Sequence, residues 1–125
     1  MNTLILDAEA KSITAVMAVA SEDSEPDFVT SYADSTSTAF TESANDGTLN
    51  GTNAVTIVAS PAASTRRIIK SISIQNRDTL PVTITLRYVS AGGTRQIWVG
   101  TLQVGDTFTM DGVYDKQGKL KIGGG

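Results

Sequence analysis

Residues 66–89 read RRIIKSISIQNRDTLPVTITLRYV, two runs of alternating apolar and polar residues on either side of NRDTLP. Alternation with a period of two puts successive side chains on opposite faces of a strand, so each run has one face to bury and one to leave in water. Within 82–90, Val82, Ile84, Leu86 and Tyr88 alternate with Thr83, Thr85 and Arg87. Within 67–75, Ile68, Ile72 and Ile74 share one face, and Ile69 falls with Ser71, Ser73 and Gln75 on the other. NRDTLP is rich in turn formers, and Pro81 at a strand start removes a donor where no ladder bond is needed. The expectation is an antiparallel hairpin of strands 67–75 and 81–90, with Ile72, Ile74, Val82, Ile84 and Leu86 buried.

Downstream the same rhythm continues. AGGT (91–94) turns the chain into RQIWVGTLQV, VGDTFTM follows, and DGVYD and KQGKLKI supply two more turn-bounded strands. Upstream, AVTIVAS (54–60) is a strand ended by Pro61. Strands recurring every ~8–12 residues indicate an all-β antiparallel sandwich or barrel. Residues 21–53 differ, being dominated by Ser, Thr, Asp, Asn and Gly with Phe28, Tyr32 and Phe40 as widely spaced anchors. No helical period appears there. The stretch reads as part of an extended acidic N-terminal arm, residues 1–53, with short strand pieces at DFVTSY and TAFT and, before them, two short strand candidates around Asp7–Ala10, a short helix being the alternative there. NDG (45–47) reads as a turn. The sandwich is then residues 54–125. A regular part of about 70 residues would be marginal alone, which points to a homo-oligomer with the arm covering a neighbour.

The composition speaks against catalysis. The chain has no cysteine and no histidine. That removes thiolate and imidazole metal ligation, disulfides, and the Ser-His-Asp and Cys-His nucleophile systems. No catalytic residue, metal ligand or cofactor-binding residue is assigned, and no cofactor is expected. The acids of SEDSEPD (21–27) lack the spaced ligands and glycine turn of a calcium loop and read as a solvated turn. Arg66, Arg67, Lys70, Arg77, Arg87 and Arg95 raise a nucleic-acid reading. The chain as a whole is acidic, however, with a net charge of −3, and Tyr88 falls in register with core residues, so no nucleic-acid partner is assigned. The longest apolar run, ITAVMAVA (13–20), is too short for a membrane span, and the N-terminus lacks a signal-peptide pattern, so a soluble protein made in a cytoplasm is expected, with no membrane partner.

The net charge conceals an asymmetry. Residues 1–60 carry nine acids against Lys11, and residues 61–125 carry nine bases against four acids, giving −8 and +5. Opposite halves attract, within one subunit or between neighbours. The candidate interaction residues are therefore the arm anchors Phe28, Tyr32 and Phe40, the cations Arg66 and Arg67, and Trp98 with Tyr114. The last two could form a stacking platform in a carbohydrate- or receptor-binding module.

The run from Ser60 to Asp115 also carries a resemblance. Its features are the PAASTR entry (61–66), the Asn76-x-Asp78 turn, the Val/Thr strand, the glycine turn, IWVGTLQVGDT (97–107) and the closing Asp111-Gly112. Together with LDAEAKSITAVMA and SYAD (31–34), these features are similar to those of a group of small structural proteins of tailed-bacteriophage virions. One departure is Val113-Tyr114, where such proteins often have an aromatic or Trp directly after Asp-Gly. The resemblance implies a virion location and a non-enzymatic role. The role expected is capsid decoration (cement), with the major capsid protein or other virion proteins as partners. A tail, neck or fibre component is the alternative.

Overall fold

Burial of one face of each alternating run generates two antiparallel sheets, with no helix among the described residues. The computed structural model describes residues 4–121. Ten strands follow in chain order: β1 Leu4–Leu6, β2 Ser12–Met17, β3 Asp27–Ser35, β4 Phe40–Thr48, β5 Val55–Val58, β6 Arg66–Gln75, β7 Val82–Ser90, β8 Gly93–Leu102, β9 Thr107–Thr109 and β10 Gly112–Tyr114. The larger sheet runs β10-β9-β6-β3-β4, with β1 also paired to β6; the smaller runs β5-β2-β7-β8. They pack face to face as a β-sandwich. Its core takes Leu6, Phe28, Ile69, Ile72, Ile74, Phe108 and Val113 from the larger sheet. Ile13, Ala15, Met17, Ile57, Ile84, Leu86 and Leu102 come from the smaller.

The expected hairpin does not form. Ile72, Ile74, Val82, Ile84 and Leu86 are all buried, as their spacing requires. But β6 pairs with β3, β1 and β9, whereas β7 pairs with β2 and β8. NRDTLP is a crossing from one sheet to the other. Alternation identifies the face that must be buried, and two strands can satisfy it across the ~10 Å between packed sheets as well as side by side. The hairpins that do form are β3–β4, β7–β8 and β9–β10.

The face assignment in β6 also needs correcting. Ile69, placed on the polar face by strict alternation, is fully buried, and Ile68 is only half-buried. Ser31 pairs with Ser71 but Tyr32 pairs with Ile69, so Lys70 is an extra residue in β6. This β-bulge shifts the phase by one and lets Ile69 and Ile72 point inward together.

Residues 4–53 are not an arm. β2 is an inner strand of the smaller sheet and β3 an inner strand of the larger. Phe28 and Leu49 belong to the core. The regular part is therefore far longer than 70 residues, and the size argument for a homo-oligomer loses its premise. NDG (45–47) lies inside β4, and the turn comes earlier, at 36–39, where the Thr36 N–H donates to Ala39 O (2.9 Å). Gly47 has a packing role: a Cβ there would stand 3.0 Å from Cε2 of the Phe28 ring opposite it. Of the last expected strand, KQGKLKI, Leu120 makes a bridge to Tyr114, and Ile122 lies outside the described residues.

Candidate interaction surface

The links 18–26, 49–54, 76–81 and 103–106 gather at one end of the sandwich, where Asn76, Asp78 and Asp106 are 1%, 3% and 2% exposed. Asn76 Nδ2 donates to Leu80 O and Leu102 O (3.0 Å each), and its Oδ1 accepts from the Asp78 N–H (2.8 Å). The backbone of Asn76 exchanges bonds with Asp106 and Gly105. Asp78 accepts from the N–H groups of Glu22 (2.8 Å), Asp23 (2.7 Å), Ser24 (3.2 Å) and Thr79 (2.9 Å). These donors, led by Glu22, hold its pKa at about 2, below the ordinary 3.8. The acidic turn 21–25 is thus folded around a carboxylate by its backbone, while Glu25 accepts from Ser21 Oγ (2.8 Å) and the Gly51 N–H (3.0 Å). Among the described residues no cluster of three or more carboxylates could hold a metal ion. Asp106 accepts from the Gln103 N–H (2.9 Å) and from Lys121 Nζ (2.7 Å). Gly105, at φ 86°, supplies the left-handed turn residue just before it. The Asn-x-Asp and Gly-Asp-Thr motifs are therefore staples between loops, fully spent on the fold.

The opposite end holds the hairpin tip 36–39 and the links 7–11 and 59–65. Here Arg67 binds Asp34 with two bonds (Nε–Oδ1 2.8 Å, Nη2–Oδ2 3.0 Å) and donates to Ala59 O (2.7 Å). Its guanidinium lies 4.1 Å from the centre of the Tyr32 ring. The Asp34 contact, first among its causes, raises the Arg67 pKa further above its ordinary value. Arg67 and Tyr32 thus close the inner face at this end rather than projecting as docking groups. Arg66 is exposed and lines an open concavity of 390 Å³ with Asp7, Ser35, Thr36, Ser37, Ser64 and Thr65. Lys11 bonds Asp7 and lowers its pKa.

The remaining candidates separate into core and surface. Phe28 is 4% exposed and Phe40 is 63% exposed, so only the second can meet a partner. Trp98 is half-buried, with its ring 4.4 Å from that of Phe108, closing the gap between β8 and β9. It also lies across Gly100, where a Cβ would stand 2.5 Å from Cζ2. Tyr114 is half-buried on β10. Trp98 and Tyr114 sit on different sheets, and the Trp ring already has an aromatic neighbour, so the pair does not make an open stacking platform.

The charge asymmetry is met in part inside the fold. The basic strand β6 lies beside β3, with β4 next; Arg67–Asp34 and Lys70–Glu42 link them, and Arg77, just after β6, pairs with Asp27 of β3. The surface feature that pattern reading missed is β4. It ends the larger sheet, and all its residues but Gly47 are exposed. The turn formers NDG obscured it, and its residues show no apolar alternation; only the pairing with β3 marks it as strand.

Searched against family models, curated proteins and solved structures, the chain matches none.

Proposed function

We propose that this chain is a non-enzymatic structural protein of a tailed-bacteriophage virion, acting as a decoration (cement) protein bound between major capsid subunits. The reading rests on the sequence resemblance, and one structural observation carries the mechanism. The buried polar side chains Thr30, Asn76, Asp78 and Asp106 each hold backbone in place by hydrogen bonds, Asp106 also binding Lys121, while apolar side chains such as Val29, Phe40 and Val99 stand in solvent on strands. Such a molecule is built to present rigid sheet surfaces. Its work would be adhesion, with many small contacts per copy multiplied by the number of copies on the shell.

The test is location and stoichiometry in purified particles of the phage that encodes the chain. Hundreds of copies on the head, and heads that burst at lower temperature when the gene is deleted, are expected. About six or twelve copies per particle would move the protein to the neck or tail, and absence from particles would overturn the reading altogether.

A further inference from the structure

We propose that the free edge of β4 is a docking edge for an extended, basic strand of another protein, which adds to the larger sheet as its next strand. The assignment does not depend on the particle to which the chain belongs.

Edge strands expose unpaired backbone groups, and folds normally protect them by keeping them short, bulging them, or placing Lys or Pro on them. Here β1 and β10 have three residues each and β5 has four. The ten-residue β8 has a bulge at Ile97 and carries Arg95. β4 has nine residues, an unbroken register against β3, and neither Lys nor Pro. Among the described residues no strand covers its outer edge.

The ladder shows which groups are free. It is bounded by the Thr36 N–H to Ala39 O bond and the Leu49 N–H to Pro26 O bond, 2.9 Å each. Alternation between these limits turns Thr41, Ser43, Asn45 and Gly47 towards β3. Phe40, Glu42, Ala44, Asp46 and Thr48 therefore aim their N–H and C=O groups outward. The side chains of those residues share the outer face of the sheet with Val29 and Ser31.

Charge selects the occupant. Full-length antiparallel pairing of β4 with β4 of a second copy would set Glu42 opposite Asp46 twice, and directly opposed like charges destabilise a sheet. An incoming strand with Lys or Arg at two positions four residues apart would oppose Asp46, which has no ion pair among the described residues, and Glu42, which it would share with Lys70. A small or β-branched residue between them would oppose Ala44, and an apolar residue two positions further on would cover Phe40. Main-chain bonds would supply affinity and these alternate side chains specificity.

The experiment uses the full chain and two synthetic peptides, KTVTKTV and ETVTETV, with amide hydrogen exchange followed by NMR. At roughly 1 mM, KTVTKTV should slow exchange of the Phe40, Glu42, Ala44 and Asp46 N–H groups by about tenfold or more, and ETVTETV should not. Ala44→Pro removes the central outward donor at a position where an edge strand tolerates proline, and should abolish the effect. Should that variant fail to fold, the double variant Glu42→Lys/Asp46→Lys must reverse the preference towards ETVTETV. Equal protection by both peptides, protection confined to other strands, or none at that concentration would overturn the proposal. So would a concentration-dependent dimer protecting the same N–H groups without peptide, since the edge would then belong to a second copy.

Discussion

The two ends of the sandwich solve the same problem in different ways. Both must close a barrel-like gap between sheets with polar chain. At the crossing end, where four of the links run, closure is by buried groups bonded to backbone: Asn76 to two carbonyls, Asp78 to four N–H groups. At the tip end it is by side-chain pairs partly open to water, with the Arg67 and Asp34 side chains 12% and 28% exposed. The first arrangement leaves no freedom, because each lost partner strands a buried group. The second tolerates change, because solvent can replace what is lost. Buried side-chain-to-backbone bonds gather at the end that carries four of the crossings between sheets, and half-open side-chain pairs at the end that carries the other two, at 7–11 and 59–65.

The sharpest way to break this contrast is through the two phenylalanines. Phe28→Ala, in the core near the crossing end, should cost about 3–5 kcal/mol in chemical denaturation. Asn76→Ala should follow at about 3 kcal/mol, since Leu80 O, Leu102 O and the Asp78 N–H lose their partner at about 1–3 kcal/mol for each group left buried and unpaired. A loss under about 0.5 kcal/mol would show that water enters this end freely.

Acid should act through the same end. The folded pKa of Asp78, about 2, lies below its ordinary 3.8, so its contribution is complete above ~pH 4 and is lost as the pH falls towards 2. Asp115, bonded by the Lys119 and Gln117 N–H groups, is shifted the same way. Thermal unfolding of the wild type should therefore drop steeply across that window, and Asp78→Asn should flatten part of the slope while lowering the neutral-pH melting temperature.

At the tip end, Asp34→Ala should cost only about 1 kcal/mol, between the values for exposed and buried pairs, because Arg67 keeps Ala59 O and the Tyr32 ring. The smallest effect belongs to Phe40→Ala, expected within about 0.5 kcal/mol of wild type by the same denaturation measurement. If Phe40 proves as costly as Phe28, β4 is covered in solution and the contrast between the ends fails.

Much of the architecture was legible in the residues. Alternation identified strands in every stretch where they occur after Ala54, and it picked out Ile72, Ile74, Val82, Ile84 and Leu86 as the buried set. The turn read at AGGT (91–94) lies where β7 gives way to β8, with Ala91 and Gly92 as its turn residues. The polar stretch 21–53 was misjudged because composition dominated the reading. Its strands bury only one residue in two, and in β4 almost none, so the stretch looked like an arm although β3 lies inside the larger sheet. The NDG triplet was read through its turn propensity, but a glycine opposite an aromatic ring is also what a strand uses to seat that ring.

By itself, the sequence marked the strands β5 to β10 and the apolar face of β7, because those depend on local spacing, and in β6 it assigned the face correctly only beyond the bulge. It could not determine which edges meet. A strand offers two edges of backbone groups that are chemically alike in every strand, so partner choice is decided by loop geometry and by bonds between residues distant in the chain. Asn76 and Asp78 make that decision here: by bonding to Leu102, Asp106 and residues 22–24, they hold the link 76–81 as a bridge between sheets rather than a hairpin turn. The bulge at Lys70 is likewise tertiary, set by the need to seat Ile69 and Ile72 in one core. The free edge of β4 exists because the chain leaves the larger sheet after Thr48 and never returns, among the described residues, to cover it.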